Sequence, residues 1–274
     1  MDTEGRYLLG ATPLTETLAF LARNADINLV PEALAARTAA AERNRQGRPR
    51  PEELPPPEAA PAAWGEHLDR VAARPLFQHL FGGTRWSFAA VPVGSLISVQ
   101  PHVNWTYARR QAERAGDLLE LCLPTRAEPL ALWGGVSPGQ PPSASFYTRD
   151  PNVRIVEARM EETPRLTVSF TITKTAVFLQ VLRLAGRLYL KNGIHRAVGL
   201  AAAGVRTLPC ILVEGTDASD LPDLLPLGAL LRPDPPLVTD FLQPELHVAH
   251  PWQERVKYIR LVPQEFVAAL PPPV

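Results

Sequence analysis

The chain has 274 residues, 46% of them apolar, which places it among globular chains and allows one large domain or two small ones. Lys plus Arg and Asp plus Glu stand at 28 each, so a whole-surface attraction to nucleic acid or to an acidic membrane is not expected, and only a local basic patch is left open. Lysine occurs only at 174, 191 and 257, so nearly every cation is Arg; GC-rich coding explains the bias, and bidentate phosphate contact applies to single sites only.

The opening Met1-Asp2-Thr3-Glu4 has no basic segment with an apolar core behind it, and no run approaches about 18 uninterrupted apolar residues, so a cytoplasmic chain without a membrane partner is expected. Thr12-Pro13-Leu14 reads as a helix start, with Leu18 and Leu21 at helical spacing. Residues Asn28 to Arg45 give a second helix; its basic end (Arg43, Arg45, Arg48, Arg50) reads as a solvated helix terminus in preference to a nucleic-acid contact. Six prolines between Arg48 and Ala63 hold the chain extended, as a spacer or a surface strap. The expected division is therefore a helical N-terminal extension (1–48), a Pro-rich linker (49–63) and a main domain (64–274), with a protein partner possible on the first two.

Trp64 to Phe81 has the pattern of one amphipathic helix, and Phe88 to Leu96 that of a short apolar strand with a turn. His102, Asn104, Trp105 and Tyr107 form a polar-aromatic cluster. Trp105 and Tyr107 are candidates to stack on a base, with burial of Trp105 as the plainer alternative. Tyr107 to Leu121 is helical. Cys122 and Cys210 lack metal-type spacing and imply neither a disulfide framework nor a zinc site. Pro138 to Ser145 is a loop, and Arg154–Met160 and Thr167–Thr173 are strands. His247 and His250 lack a third ligand, so no metal site is expected. Leu221 to Pro244 is irregular, Arg255 to Val262 is a last strand, and Pro263 to Phe266 is a short helix. The fold class is α+β (α/β): a small mixed sheet with helices around it.

The segment richest in chemistry runs from Val177 to Glu214. Two strands meet at Ala185-Gly186, and the second ends at Leu190. Asn192-Gly193 is a turn, a helix follows at once, Gly204 ends it, and Thr207 to Glu214 is a strand. The first turn of a helix leaves amides unpaired and favours negative charge, so Asn192, Gly193, Ile194, His195 and Arg196 form a candidate phosphate site. The plainer alternative pairs Arg196 with Glu214 or Asp217.

Gly-x-His-Arg at a helix start, reached from a hairpin and followed by Ala-Gly-x-x-x-x-Pro and a strand, resembles the ParB/sulfiredoxin-like superfamily. The resemblance implies a nucleotide phosphate held at this helix start, with a nucleoside triphosphate and Mg²⁺ as cofactors in an NTPase form. Ile194 stands where sulfiredoxins carry Cys, so sulfinic-acid repair is not implied. A nuclease or DNA-processing enzyme on the same scaffold is a second expectation, and a non-enzymatic interaction or regulatory module a third. Either enzyme would need carboxylates, and the candidates are Glu157, Glu161 and Glu162, the last two read as a solvated loop. Lys174 and Thr175 are secondary phosphate candidates, a solvated turn being the alternative.

Overall fold

The structure is a computed structural model and describes residues 3–25, 30–113, 115–126, 131–137, 143–148, 153–162, 166–174, 178–252 and 257–261. In chain order its strands and α-helices are β1 (Glu4–Leu8), α1 (Leu14–Ala25), α2 (Pro31–Arg45), β2 (Glu58–Ala59), α3 (Gly65–Ala72), α4 (Pro75–Phe81), β3 (Trp86–Pro92), β4 (Leu96–Ser98), β5 (His102–Asn104), α5 (Trp105–Ala112) and α6 (Leu118–Cys122). There follow β6 (Trp133–Ser137), β7 (Ser143–Thr148), β8 (Val153–Glu162), β9 (Leu166–Lys174), β10 (Gln180–Leu184), β11 (Arg187–Asn192), α7 (Ile194–Ala202), β12 (Thr207–Glu214), α8 (Leu227–Leu231), β13 (His247–Pro251) and β14 (Lys257–Leu261). The class is α+β. Among the described residues no helix is long and apolar enough to cross a membrane.

Two compact units divide the chain: Met1–Arg126 with Ala176–Gln253, and Ala127–Thr175 with Glu254–Val274. These boundaries differ from the expected ones, for a reason of strand pairing. The N-terminal segment opens with a strand, β1, that the helical reading missed. It runs antiparallel to β13 from the far end of the chain and to β5, so the expected extension is woven into the first unit. The Pro-rich segment is a strap and not a spacer. Its β2 pairs with β3, and the Ser95 hydroxyl donates to the Pro55 carbonyl at 2.9 Å.

The first unit carries a six-stranded mixed sheet in the order β2-β3-β12-β10-β11-β4, with β12 parallel to β10 and β11 parallel to β4. The β10–β11 hairpin turns on Ala185 (φ 50°) and Gly186 (φ 79°), the double positive φ that matches the twist of antiparallel strands. Phe77, Phe178, Tyr189, Val198 and Ile211 belong to the main core; Tyr7, Leu9, Leu21, Leu34 and Val248 form a second cluster that takes in residues of α1 and α2.

The expected helix Trp64–Phe81 is two, because Pro75 has no amide for a continuing helix and instead occupies the first turn of α4. The expected helix Tyr107–Leu121 is likewise two, α5 and α6. In the second unit β14, β7 and β6 form a three-stranded sheet, and β8 and β9 a separate two-stranded ribbon. Ser143–Ser145 belongs to β7, and Glu161 and Glu162 to β8, where loops had been expected. The expected helix 263–266 lies outside the described residues.

Candidate functional site

The expected strand-turn-helix is present, and its polar groups turn inward. Gly193 adopts φ 98°, which an L side chain rarely tolerates, and its carbonyl accepts the first helical hydrogen bond, from Ala197 N–H at 2.9 Å. Little room surrounds it. A Cβ added there would stand 3.2 Å from Cγ of Leu179 and 3.2 Å from Nη2 of Arg196. Ile194, next along, is buried at 5% exposure and joins Leu179 in the core.

Arg196 is buried, and its Nη1 donates to the Leu121 carbonyl at 2.8 Å and to the Cys122 carbonyl at 3.5 Å. Those are the last carbonyls of α6, where the helix dipole is negative and backbone acceptors lack intrahelical donors. The charge on which a phosphate was to rest therefore closes a helix end. The alternative carboxylates are engaged elsewhere: Glu214 takes Arg183 through two hydrogen bonds, and Asp217 accepts from Ser219 N–H at 2.7 Å.

His195 also points into the protein. The Asn104 backbone N–H donates to its Nε2 at 3.1 Å, so that nitrogen carries a lone pair. Burial, reinforced by the nearby charges of His102 and Arg196, pushes the imidazole down to about 4, and it is neutral at physiological pH. The same Asn104 caps α5, accepting from Tyr107 N–H at 2.8 Å, and the Tyr107 ring meets the His195 ring edge-on at 5.3 Å. Helices α5 and α7 approach so closely that a Cβ on Gly199 would fall 1.9 Å from the Ala108 carbonyl oxygen. His195, Asn104 and Tyr107 thus fasten two helices together.

Of the two stacking candidates, Trp105 is partly buried against the core, and the Arg6 guanidinium covers one of its faces, 3.4 Å from the ring centroid. Tyr107 is 47% exposed. Glu157 pairs with Arg159 at 2.5 Å on the exposed ribbon, and Glu161 lies near the end of the same strand. Both belong to the second unit, whereas the start of α7 belongs to the first. Glu162 and Lys174 are described at the backbone only, at the ends of β8 and β9, and Thr175 lies outside the described residues. Among the described residues no group of three or more His, Cys, Asp or Glu could hold a metal ion. His247 and His250 are buried on β13, and burial lowers both imidazoles. The cysteines are buried free thiols; burial pushes Cys122 up to about 12, which makes it a poor nucleophile.

Sequence reasoning missed one feature with functional weight, the face that the β8–β9 ribbon shows to solvent. In register, Ile155 lies opposite Ile172, Ala158 opposite Phe170, and Met160 opposite Val168, while Glu157 and Arg159 take the other face. The alternation was legible; that the apolar side would stand open to solvent was not. Exposure is 74% at Met160, 48% at Val168, 45% at Phe170 and 42% at Ile155. No family model matches this chain, and no curated protein and no solved structure matches it.

Proposed function

We propose that the chain is a non-catalytic interaction module that docks a protein partner on the apolar face of the β8–β9 ribbon. The observation that carries this reading is the exposure of Ile155, Met160, Val168 and Phe170 together on one face of two strands that, among the described residues, pair with each other alone. A lone two-stranded ribbon is marginal in water, and a contiguous apolar strip on one marks an interaction surface. The α7 corner supports the non-catalytic half of the reading: its arginine serves backbone carbonyls, its histidine is a neutral acceptor, and Leu179 and Ile194 pack beside the glycine. Nucleotide binding and the ParB/sulfiredoxin-like assignment rest on the β10–β11–α7–β12 arrangement alone. The N-terminal helices contribute core residues to the first unit, and Ala60 of the strap packs against its core.

The test is site-specific photo-crosslinking in cells. A photoreactive amino acid placed at Met160 should give discrete polypeptide adducts, and one placed at Arg159, on the opposite face, should not. Val168→Asp should remove the Met160 adducts. Absence of adducts at Met160, or the same adducts from Arg159, refutes the reading.

A further inference from the structure

At the C-terminal end of α2 the basic cluster that looked like a solvated helix terminus encloses space. A cavity of about 460 Å³ is lined by Arg45, Gln46, Gly47, Arg48, Arg50, Pro233 and Asp234. That volume is in the range of pockets that hold small organic molecules.

Its electrostatics are unusual. Arg45 is fully buried, with Nε donating to Asp240 Oδ2 at 2.8 Å and Nη1 to the Leu9 carbonyl at 2.7 Å. Arg48 takes the other oxygen of the same carboxylate at 2.6 Å and Gln243 Oε1 at 2.9 Å. One buried carboxylate therefore answers two guanidiniums. Arg232 stands nearby, its Nη1 on the Gly10 carbonyl and its Nε 3.6 Å from Asp234 Oδ1. Burial holds Arg232 below its usual range; Asp234, Glu42 and Asp240 oppose that shift and the charge of Arg45 adds to it. Glu42, one turn back on α2, forms no ion pair among the described residues. Arg50 is exposed at the cavity.

Two details point to a ligand. Arg45 Nη2 is buried with no hydrogen-bond partner among the described residues, and a buried cationic donor left unpaired is costly. Gly47, at φ 88°, has nothing within 4 Å of where a Cβ would stand, so the chain reversal after α2 leaves open backbone beside the arginines. Three guanidiniums offer more donors than the two oxygens of a carboxylate can accept, whereas a phosphate group presents three strong acceptors and up to two charges.

We propose that this cavity binds a small phosphate-bearing anion at the guanidiniums of Arg48 and Arg50, beside the buried Arg45. Asp240 holds Arg45 and Arg48 in place, and the ligand supplies acceptors beyond those that Asp240 offers. The site lies within the first unit and does not involve the start of α7.

The experiment is a titration of the full chain with pyrophosphate and with inorganic phosphate at constant ionic strength, followed by calorimetry and by melting temperature. A ligand of the folded state raises the melting point in a saturable way. Pyrophosphate should do so, citrate should bind more weakly, and Arg50→Gln should weaken pyrophosphate by about tenfold or more, in line with loss of a charge-assisted hydrogen bond. Arg50 is exposed, so that variant keeps the fold even if Arg45→Gln does not. Arg43→Gln, an exposed arginine of α2 outside the cavity lining, and His195→Gln should bind as the parent does. A melting point that does not saturate, binding unchanged in Arg50→Gln, citrate binding as tightly as pyrophosphate, or binding lost instead in His195→Gln would each overturn the proposal.

Discussion

Arg196 and Arg45 are both withdrawn from solvent, and the comparison between them separates a helix fastening from a candidate binding site. Arg196 donates to main-chain carbonyls at the end of α6, in the segment whose Gly-x-His-Arg pattern reads as an anion site. Arg45 meets a carboxylate that it shares with Arg48, beside a cavity, in a run that read as an ordinary solvated helix end. A guanidinium is always charged and presents five donors, so its meaning depends on which acceptors the fold delivers. At α7 the fold delivers two backbone oxygens to Nη1. At the end of α2 it delivers one carboxylate for two cations and leaves open space.

The largest effect that would sharpen this contrast is expected at Asp240. Its carboxylate is fully buried, accepts from Arg45 and Arg48, and also accepts from Leu237 N–H at 3.3 Å. Removing one partner of a buried pair leaves an uncompensated charge, at a cost of about 4 kcal/mol. Asp240→Ala should therefore lower unfolding free energy by about that much in urea titration. Arg48→Gln should cost far less, because its side chain is 22% exposed and water can take over. If pyrophosphate restores part of the stability of Asp240→Ala, the cavity and the ion pair share one electrostatic account. Equal costs for the two variants would break the comparison.

The α7 side of the contrast predicts a pH dependence. His195 is held at about 4 in the folded chain against about 6.5 when unfolded, so the unfolded state binds more protons between those values. Stability from this group is complete above pH 6.5 and falls as pH drops toward 4, by about 3 kcal/mol at most. His247 and His250, also lowered by burial, add to the loss in the same direction. His195→Gln keeps an acceptor for Asn104 N–H without a titrating ring, and its stability curve should be flatter over that window. An equally steep curve would mean that the ring is solvated and available to a ligand.

Legibility in the sequence tracked the range of the interaction. The hairpin at Ala185-Gly186, the turn at Gly193 and the stop at Gly204 were readable because each rests on local backbone preference. Strand β1 was not, since Glu4–Leu8 becomes a strand by pairing with His247–Pro251 and His102–Asn104, both distant in sequence. The same limit hid the real partners of both arginines. Arg196 finds its carbonyls 74 and 75 positions away, and Arg45 its carboxylate 195 positions away, distances over which no periodicity or spacing carries a signal. Gly-x-His-Arg fixed where a helix begins but not which way its side chains lie, and the alternation in β8 and β9 fixed two faces but not that the apolar one would meet water.

The smallest predicted effect tests whether Arg196 is structural. Arg196→Met keeps bulk and apolar contact while taking the guanidinium donor from the Leu121 carbonyl, at a cost of about 2 kcal/mol; the Cys122 carbonyl keeps the Leu179 N–H at 2.8 Å. The loss should appear as a lower denaturant midpoint and as faster hydrogen exchange in α6, the helix whose end the guanidinium closes. Arg196→Lys retains a charge but not the planar fork and should fall between parent and Met. Neither substitution should alter a pyrophosphate titration, since the cavity lies at the other arginine. If Arg196→Met instead left stability within about 0.5 kcal/mol of the parent, the range of an ordinary surface change, while abolishing phosphate binding, the roles of the two arginines would be exchanged. The carbonyls of α6 would then be incidental neighbours, and the start of α7 would be the anion site that its sequence suggested.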